Sequence, residues 1–314
     1  MRNYSVSSLT TSLAVIALYL TTYSCMFALS QSQRDLQTYF SRNKHLSSDP
    51  NDRVIAATDI FLGRPYELDS LGDGITSDFD KRPIFYTGGF DCMTLVSTVL
   101  AMVESHNFSS FHHNLNLVRY GDKQPSYFNR HHFISDEWNP SNTRLGFLED
   151  VTLRITSKDG PPLAKVHGDV VDYPQWLKYQ KTQLTKNAQL NATQLEIWQN
   201  IYATSKQRLS MISYIPFTAF FHADDSPNDF VLAQIPAGSI IEFVTPGWDL
   251  TSRIGTKLDV MHLGFVIRKG DTLFLRHAKF GGAVTEVKLT DYLLFMKDRI
   301  PQAQGVHIEK IHLK

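Results

Sequence analysis

Residues 262 to 279 read His-Leu-Gly-Phe-Val-Ile-Arg-Lys-Gly-Asp-Thr-Leu-Phe-Leu-Arg-His-Ala-Lys, and this stretch restricts the fold more than any other. Two β-rich runs flank Gly270-Asp271, and glycine first in a two-residue loop favours a type II′ hairpin turn. Such a turn pairs Lys269 with Thr272 and Ile267 with Phe274. Continued inward, the register sets Gly264 opposite His277 and His262 opposite Lys279. His262 and His277 then share one face of the sheet as diagonal neighbours, and Gly264 leaves the space beside them open. A four-residue loop keeps this register, whereas a three-residue loop would put the rings on opposite faces.

Two histidines on one face call for a reactive partner, and the chain offers one. Arg2, an apolar stretch from Leu13 to Leu20, and small and polar residues around Ala28-Leu29-Ser30 form a secretory signal over residues 1–30. The apolar stretch is too short for a membrane span. Cleavage after Ala28 or Ser30 leaves a single cysteine, Cys92, so the exported chain makes no internal disulfide. The expected location is the periplasm. Secretion, or a lipid anchor through Cys25, is the alternative, although Thr22-Tyr23-Ser24 lacks the leucine expected three residues before a lipidated cysteine.

Cys92 follows Gly88-Gly89-Phe90-Asp91 and opens an apolar run in which Leu95, Val96, Val99, Leu100 and Val103 recur at helical steps. Asp91 suits the N-cap. A helix N-terminus favours a thiolate, while the Asp91 carboxylate opposes it. Cys92 lies on the face of Leu95, Val96 and Val99, where a small core residue would also fit. The histidines decide for chemistry. Amide cleavage needs a nucleophile, a base that also protonates the leaving nitrogen, and a group that orients the base. Cys92, His262 and His277 fill these roles in that order, with the Cys92 N–H as an oxyanion donor.

The remaining chain, 31–314, is read as one catalytic domain. Basic and acidic residues balance at 31 each, and no basic run points to nucleic acid or to a membrane surface. The Lys-, Gln- and Leu-rich segment 174–214 reads as a helical insertion of two helices, the second opened by a capping box of Asn191 and Gln194. The C-terminal part is β-rich, over 239–244, 283–289 and 306–311 beside the hairpin, with a short helix over 291–297. A nucleophile helix packed on an antiparallel sheet is an α+β architecture. His112-His113 and His131-His132 are adjacent pairs whose side chains diverge. There is no H-E-x-x-H or paired C-x-x-C spacing, so no cofactor or metal is expected, and a zinc site from scattered residues ranks behind the cysteine.

Gly63-Arg64-Pro65-Tyr66, Phe90-Asp91-Cys92, His262-Leu263-Gly264-Phe265 and His277-Ala278 resemble the ordered motifs of NlpC-like cell-wall cysteine amidases. More narrowly, Phe61 to Tyr66, Asp91-Cys92-Met93-Thr94, Asn129 to Phe133 with Asp136 and Trp138, and Leu258 to His262 resemble the N-acetylmuramoyl-L-alanine amidase-like family. That resemblance runs from about Arg53 to the end. It implies a papain-like NlpC-type core and cleavage of a peptidoglycan amide. The expected bond is N-acetylmuramoyl-L-alanine in muropeptides, including anhydro forms; the alternatives are a γ-D-glutamyl-diaminopimelate endopeptidase and a non-catalytic wall-binding protein. It also implies that Tyr66 lines the site, assisting the oxyanion or touching substrate beside Asp91. Arg130, His132, Asp136 and Trp138 suit a sugar–peptide ligand, or equally a turn anchored by a salt bridge. Asp259 is either a supporting partner of the site or a turn residue. Ser97 departs from the family pattern, which has glutamate there.

Overall fold

The computed structural model describes residues 30–313 except 44, 46 and 186–188. The expected export signal, with Cys25, therefore lies outside the described residues apart from Ser30. That serine caps the first helix in a reciprocal box with Gln33. No helix among the described residues is long and apolar enough to cross a membrane.

The helices are α1 (Gln31–Arg42), α2 (Pro50–Asp59), α3 (Cys92–Val103), α4 (Phe108–Tyr120), α5 (Asn139–Arg144), α6 (Tyr173–Leu184), α7 (Ala192–Thr204), α8 (Asp229–Ala233), α9 (Thr251–Ile254) and α10 (Leu289–Arg299). The strands are β1 (Leu148–Asp150), β2 (Lys165–Val171), β3 (Arg208–Pro216), β4 (Ile240–Asp249), β5 (Lys257–Lys269), β6 (Thr272–Ala278), β7 (Val284–Lys288) and β8 (Gly305–Ile311). They form one antiparallel sheet in the order β2-β3-β8-β4-β5-β6-β7, and β1 also pairs with β8.

Period-two alternation sends neighbouring side chains to opposite faces, so both sides of this sheet carry core. Ile240, Leu263, Phe265 and Ile267 pack with Leu95, Val96 and Val99 of α3 and with residues of α1, α2 and α4. Ile241, Val266, Leu275 and Ile308 pack instead with Leu289, Leu293 and Met296 of α10. Each fully buried aliphatic side chain contributes about 1.5–3 kcal/mol from leaving water.

Helix α3 is more enclosed than its apolar stripe implies. Every residue from Leu95 to Val103 is buried, Ser97 and Thr98 included, because α2, α4 and the sheet surround it. The segment read as an insertion ends earlier than expected. Helices α6 and α7 are present, with the Asn191–Gln194 capping box, but 208–214 belongs to β3. There Ser210, Ile212 and Ser213 are buried while Leu209 and Met211 are exposed. Buried serines mask the alternation.

Candidate active site

The β5–β6 turn follows the predicted register. Lys269 pairs with Thr272, Ile267 with Phe274 and Phe265 with Arg276. Gly270 has φ +57°, and Asp271 has no positive φ, which is the II′ pattern. The regular ladder stops at Phe265–Arg276, three residues before His262 would meet Lys279. Beyond it the histidine rings meet directly, His262 Nε2 lying 2.6 Å from His277 Nδ1. Gly264 is required here. A Cβ would come within 2.7 Å of the Arg276 carbonyl oxygen and 2.9 Å of the His277 Cβ.

Cys92 is the first residue of α3. Asp91 caps the helix by accepting from the Thr94 N–H at 2.7 Å, and Thr94 Oγ1 accepts from the Asp91 N–H at 2.9 Å. The second Asp91 oxygen accepts from the Asp69 N–H at 3.0 Å, so this carboxylate is committed to holding the turn before the nucleophile. The thiol is pushed up to about 12, chiefly by burial and then by Asp91. The main-chain N–H groups of Leu263, Met93 and Cys92 itself pull the other way. The Leu263 amide, freed where the ladder ends, thus brings the sulfur to β5 next to His262.

Tyr292 on α10 closes the group. Its ring centroid lies 4.9 Å from that of His277, 6.2 Å from that of His262 and 5.0 Å from that of Phe243. Burial and the nearby Cys92 raise its hydroxyl to about 12. Nothing in its sequence neighbourhood marks Tyr292. It reaches the histidines because β7 pairs with the His277 strand and α10 turns back over the same face. Tyr66, half-buried on the other side, is raised to about 12 by burial, with Cys92, Asp91 and Asp69 adding.

Both histidines are depressed. Burial brings His262 to about 3, with His277 adding, and burial, then Lys279, brings His277 to about 4. At neutral pH the resting site is therefore a thiol beside two neutral imidazoles. His277 occupies His262 Nε2, which leaves Nδ1 as the nitrogen open to a thiol proton. For Nδ1 to be basic, Nε2 must carry the hydrogen and donate it to His277 Nδ1, so the chemistry fixes the tautomer.

The comparisons with known proteins agree in direction. A family model described as N-acetylmuramoyl-L-alanine amidase-like matches residues 56–299. The chain belongs to this amidase-like family. A crystal structure of a Legionella pneumophila protein of family DUF1460 is 34% identical, with TM-score 0.79, covering 89% of this chain and 94% of that one. An N-acetylmuramoyl-L-alanine amidase from Bacteroides uniformis shares the fold at 24% identity and TM-score 0.57, over 84% of this chain and 97% of its own. A putative xylanase from Bacteroides fragilis also shares the fold, at 23% identity and TM-score 0.56 over 83% and 100%. No curated protein matches.

The other residues expected of the amidase-like family divide between a cleft and its scaffold. Asp91, Arg130, His132 and Trp138 line a pocket of about 210 Å³ that begins at Asp91-Met93-Thr94. Arg130 bonds Asp73 and Asp80, each at 2.7 Å. His132 Nε2 lies 2.7 Å from the Tyr127 carbonyl oxygen, and burial lowers this ring to about 3. Asp136 pairs with Arg208 at 2.7 Å. Asp259 lies within β5 and accepts from Ser135 Oγ and from Ser210 Oγ, the latter at 3.0 Å, which makes it part of a buried hydroxyl network. A second pocket of about 450 Å³ shares Asp69, Arg130 and His132, and Trp176, Gln180 and Gln183 of α6 form part of its wall. The insertion thus reaches the cleft, although its sequence shows no chemistry. No three His, Cys, Asp or Glu residues among those described are placed to hold a metal.

These shifts set a pH dependence. A base must be neutral to accept a proton, and lowering its pKa extends the neutral form to lower pH. The acid limb of kcat/KM should then fall below about pH 5, not near the ~6.5 of an ordinary histidine. Alkylation of Cys92 by iodoacetamide should still be accelerating above about pH 9. A rate already level at pH 7 would show a preformed thiolate and refute the neutral resting site.

Proposed function

We propose that this protein is a cysteine amidase, built on a papain-like core, that hydrolyses the N-acetylmuramoyl-L-alanine bond of peptidoglycan fragments outside the cytoplasm. The reading is supported by the bond from the Leu263 N–H to the Cys92 sulfur, one residue from His262, together with the His262–His277 ring contact, in a chain of the amidase-like family. Cys92 attacks the amide carbonyl while His262 Nδ1 takes its proton, which turns a poorly ionised thiol into a nucleophile only when substrate is in place. The Cys92 N–H, at the positive end of α3, faces the developing oxyanion, and the Tyr66 hydroxyl is a second candidate donor. His262 returns the proton to the leaving nitrogen. Water then attacks the thioester with His262 again acting as base. His277 accepts the His262 Nε2–H throughout and stabilises the transient imidazolium.

Mass spectrometry of defined muropeptides after incubation with the purified protein tests the bond. The expected products are a sugar with a free lactyl carboxylate and an intact stem peptide beginning with L-Ala. Release of a peptide beginning with diaminopimelate, with L-Ala-D-Glu still on the sugar, would reassign the protein as an endopeptidase, and binding without either product would leave a wall-binding protein.

A further inference from the structure

The pocket beside Asp91 is lined by two acids, Asp69 and Asp91, and by two guanidinium groups, of which Arg130 is paired and Arg119 is not. Arg119 is 6% exposed and reaches it from α4. One guanidinium nitrogen donates to the carbonyls of Gly72 at 3.1 Å and Ile84 at 3.0 Å, and no carboxylate among the described residues pairs with it. The nearby acids Asp73 and Asp80 are taken by Arg130, while the Asp91 oxygens are held by Thr94 and Asp69. Trp138 is fully buried in the same lining, and its indole N–H has no partner. Ser97, 2% exposed, adds a hydroxyl from α3. A buried indole N–H loses free energy when left unsatisfied, and a buried guanidinium held only by carbonyls keeps a charge that no counter-ion balances. An anionic oxygen donated by a ligand offsets both.

We propose that this pocket receives a free carboxylate on the peptide half of the substrate, held by Arg119 with Trp138 and Ser97 as further donors. The inference rests on the muropeptide reading above. Asp91 and Met93, on either side of Cys92, both line the pocket, so the group it holds lies a short distance along the peptide from the scissile amide. In such peptides the second residue is γ-linked glutamate, whose α-carboxyl occurs as the acid or as the amide. Amidation keeps the shape and removes the charge, which is the difference a guanidinium reads.

The test compares N-acetylmuramoyl-L-alanyl-D-isoglutamate with the corresponding D-isoglutamine compound. KM should be about tenfold or more lower for the acid, with kcat little changed. Arg119→Gln should abolish the preference. Because Arg119 also ties two loop carbonyls, Trp138→Phe and Ser97→Glu provide independent readings. The first should narrow the ratio, and the second should raise KM for the acid to that of the amide, since a carboxylate from the chain then occupies the pocket. Equal KM values in the native protein would overturn the proposal. If neither compound is cleaved, the amidase reading fails separately, and calorimetric titration of the Cys92→Ala protein decides the pocket. Tighter binding of the acid supports it, and equal or undetectable binding of both refutes it.

Discussion

Cys92→Ala lowers kcat on an N-acetylmuramoyl-L-alanine substrate by on the order of 10⁴-fold or more, while the protein keeps its thermal unfolding transition and its ligand affinity. The reason is the position of the residue. Cys92 begins α3 but Asp91 and Thr94 cap it, so removing one sulfur takes away the nucleophile without disturbing the helix start or the core from Leu95 onward. Iodoacetamide should inactivate the native protein in proportion to Cys92 modification. Full turnover by the alanine variant, or activity lost to a chelator and regained with zinc, would replace the cysteine mechanism with a metal-based one.

Substitutions of the two histidines should be unequal. In the proposed mechanism His262 transfers the proton in both half-reactions, so His262→Ala should cost about 10²–10⁴-fold in kcat, with more lost because the thiol depends on it for activation. His277 acts through His262. An asparagine or glutamine there can still accept the Nε2–H, so His277→Asn or His277→Gln should retain more activity than His277→Ala. The acid limb of the rate profile should move with His277 substitutions, because the neighbouring ring contributes to the depressed pKa of His262. Equal losses for Ala, Asn and Gln at 277, with an unmoved profile, would show that His277 is only packing under Tyr292.

The hairpin could be read from sequence because its determinants are local. Gly270 sets the turn, alternation sets the faces, and together they place His262 beside His277 without reference to the rest of the chain. The N-cap role of Asp91 was legible for the same reason. What escaped reading depends on contacts between distant segments. Strand β3 buries serines on both its faces because Ser210 bonds Asp259 and Ser213 bonds Asp150, so its buried positions do not look apolar. Asp259, readable as a supporting group or a turn residue, lies in a strand and is committed to Ser135 and Ser210. Tyr292 and Arg119 sit in ordinary helical surroundings, and only the return of α10 over β6 and the packing of α4 against α3 bring them to the cleft. The all-round burial of α3 has the same origin, since a stripe in sequence cannot show how many neighbours will enclose it.

The depressed acidity of the thiol bears on survival as well as on rate. At a pKa of about 12, roughly one molecule in 10⁵ carries a thiolate at pH 7. Peroxides and disulfides react with that form. In the location proposed above, outside the reducing cytosol, a thiolate would drift to sulfenic acid or become a mixed disulfide, and Cys92 has no second cysteine among the described residues to resolve it. In the proposed mechanism, burial beside Asp91 would keep the sulfur redox-silent between turnovers, and His262 would make it reactive only for the lifetime of a bound amide.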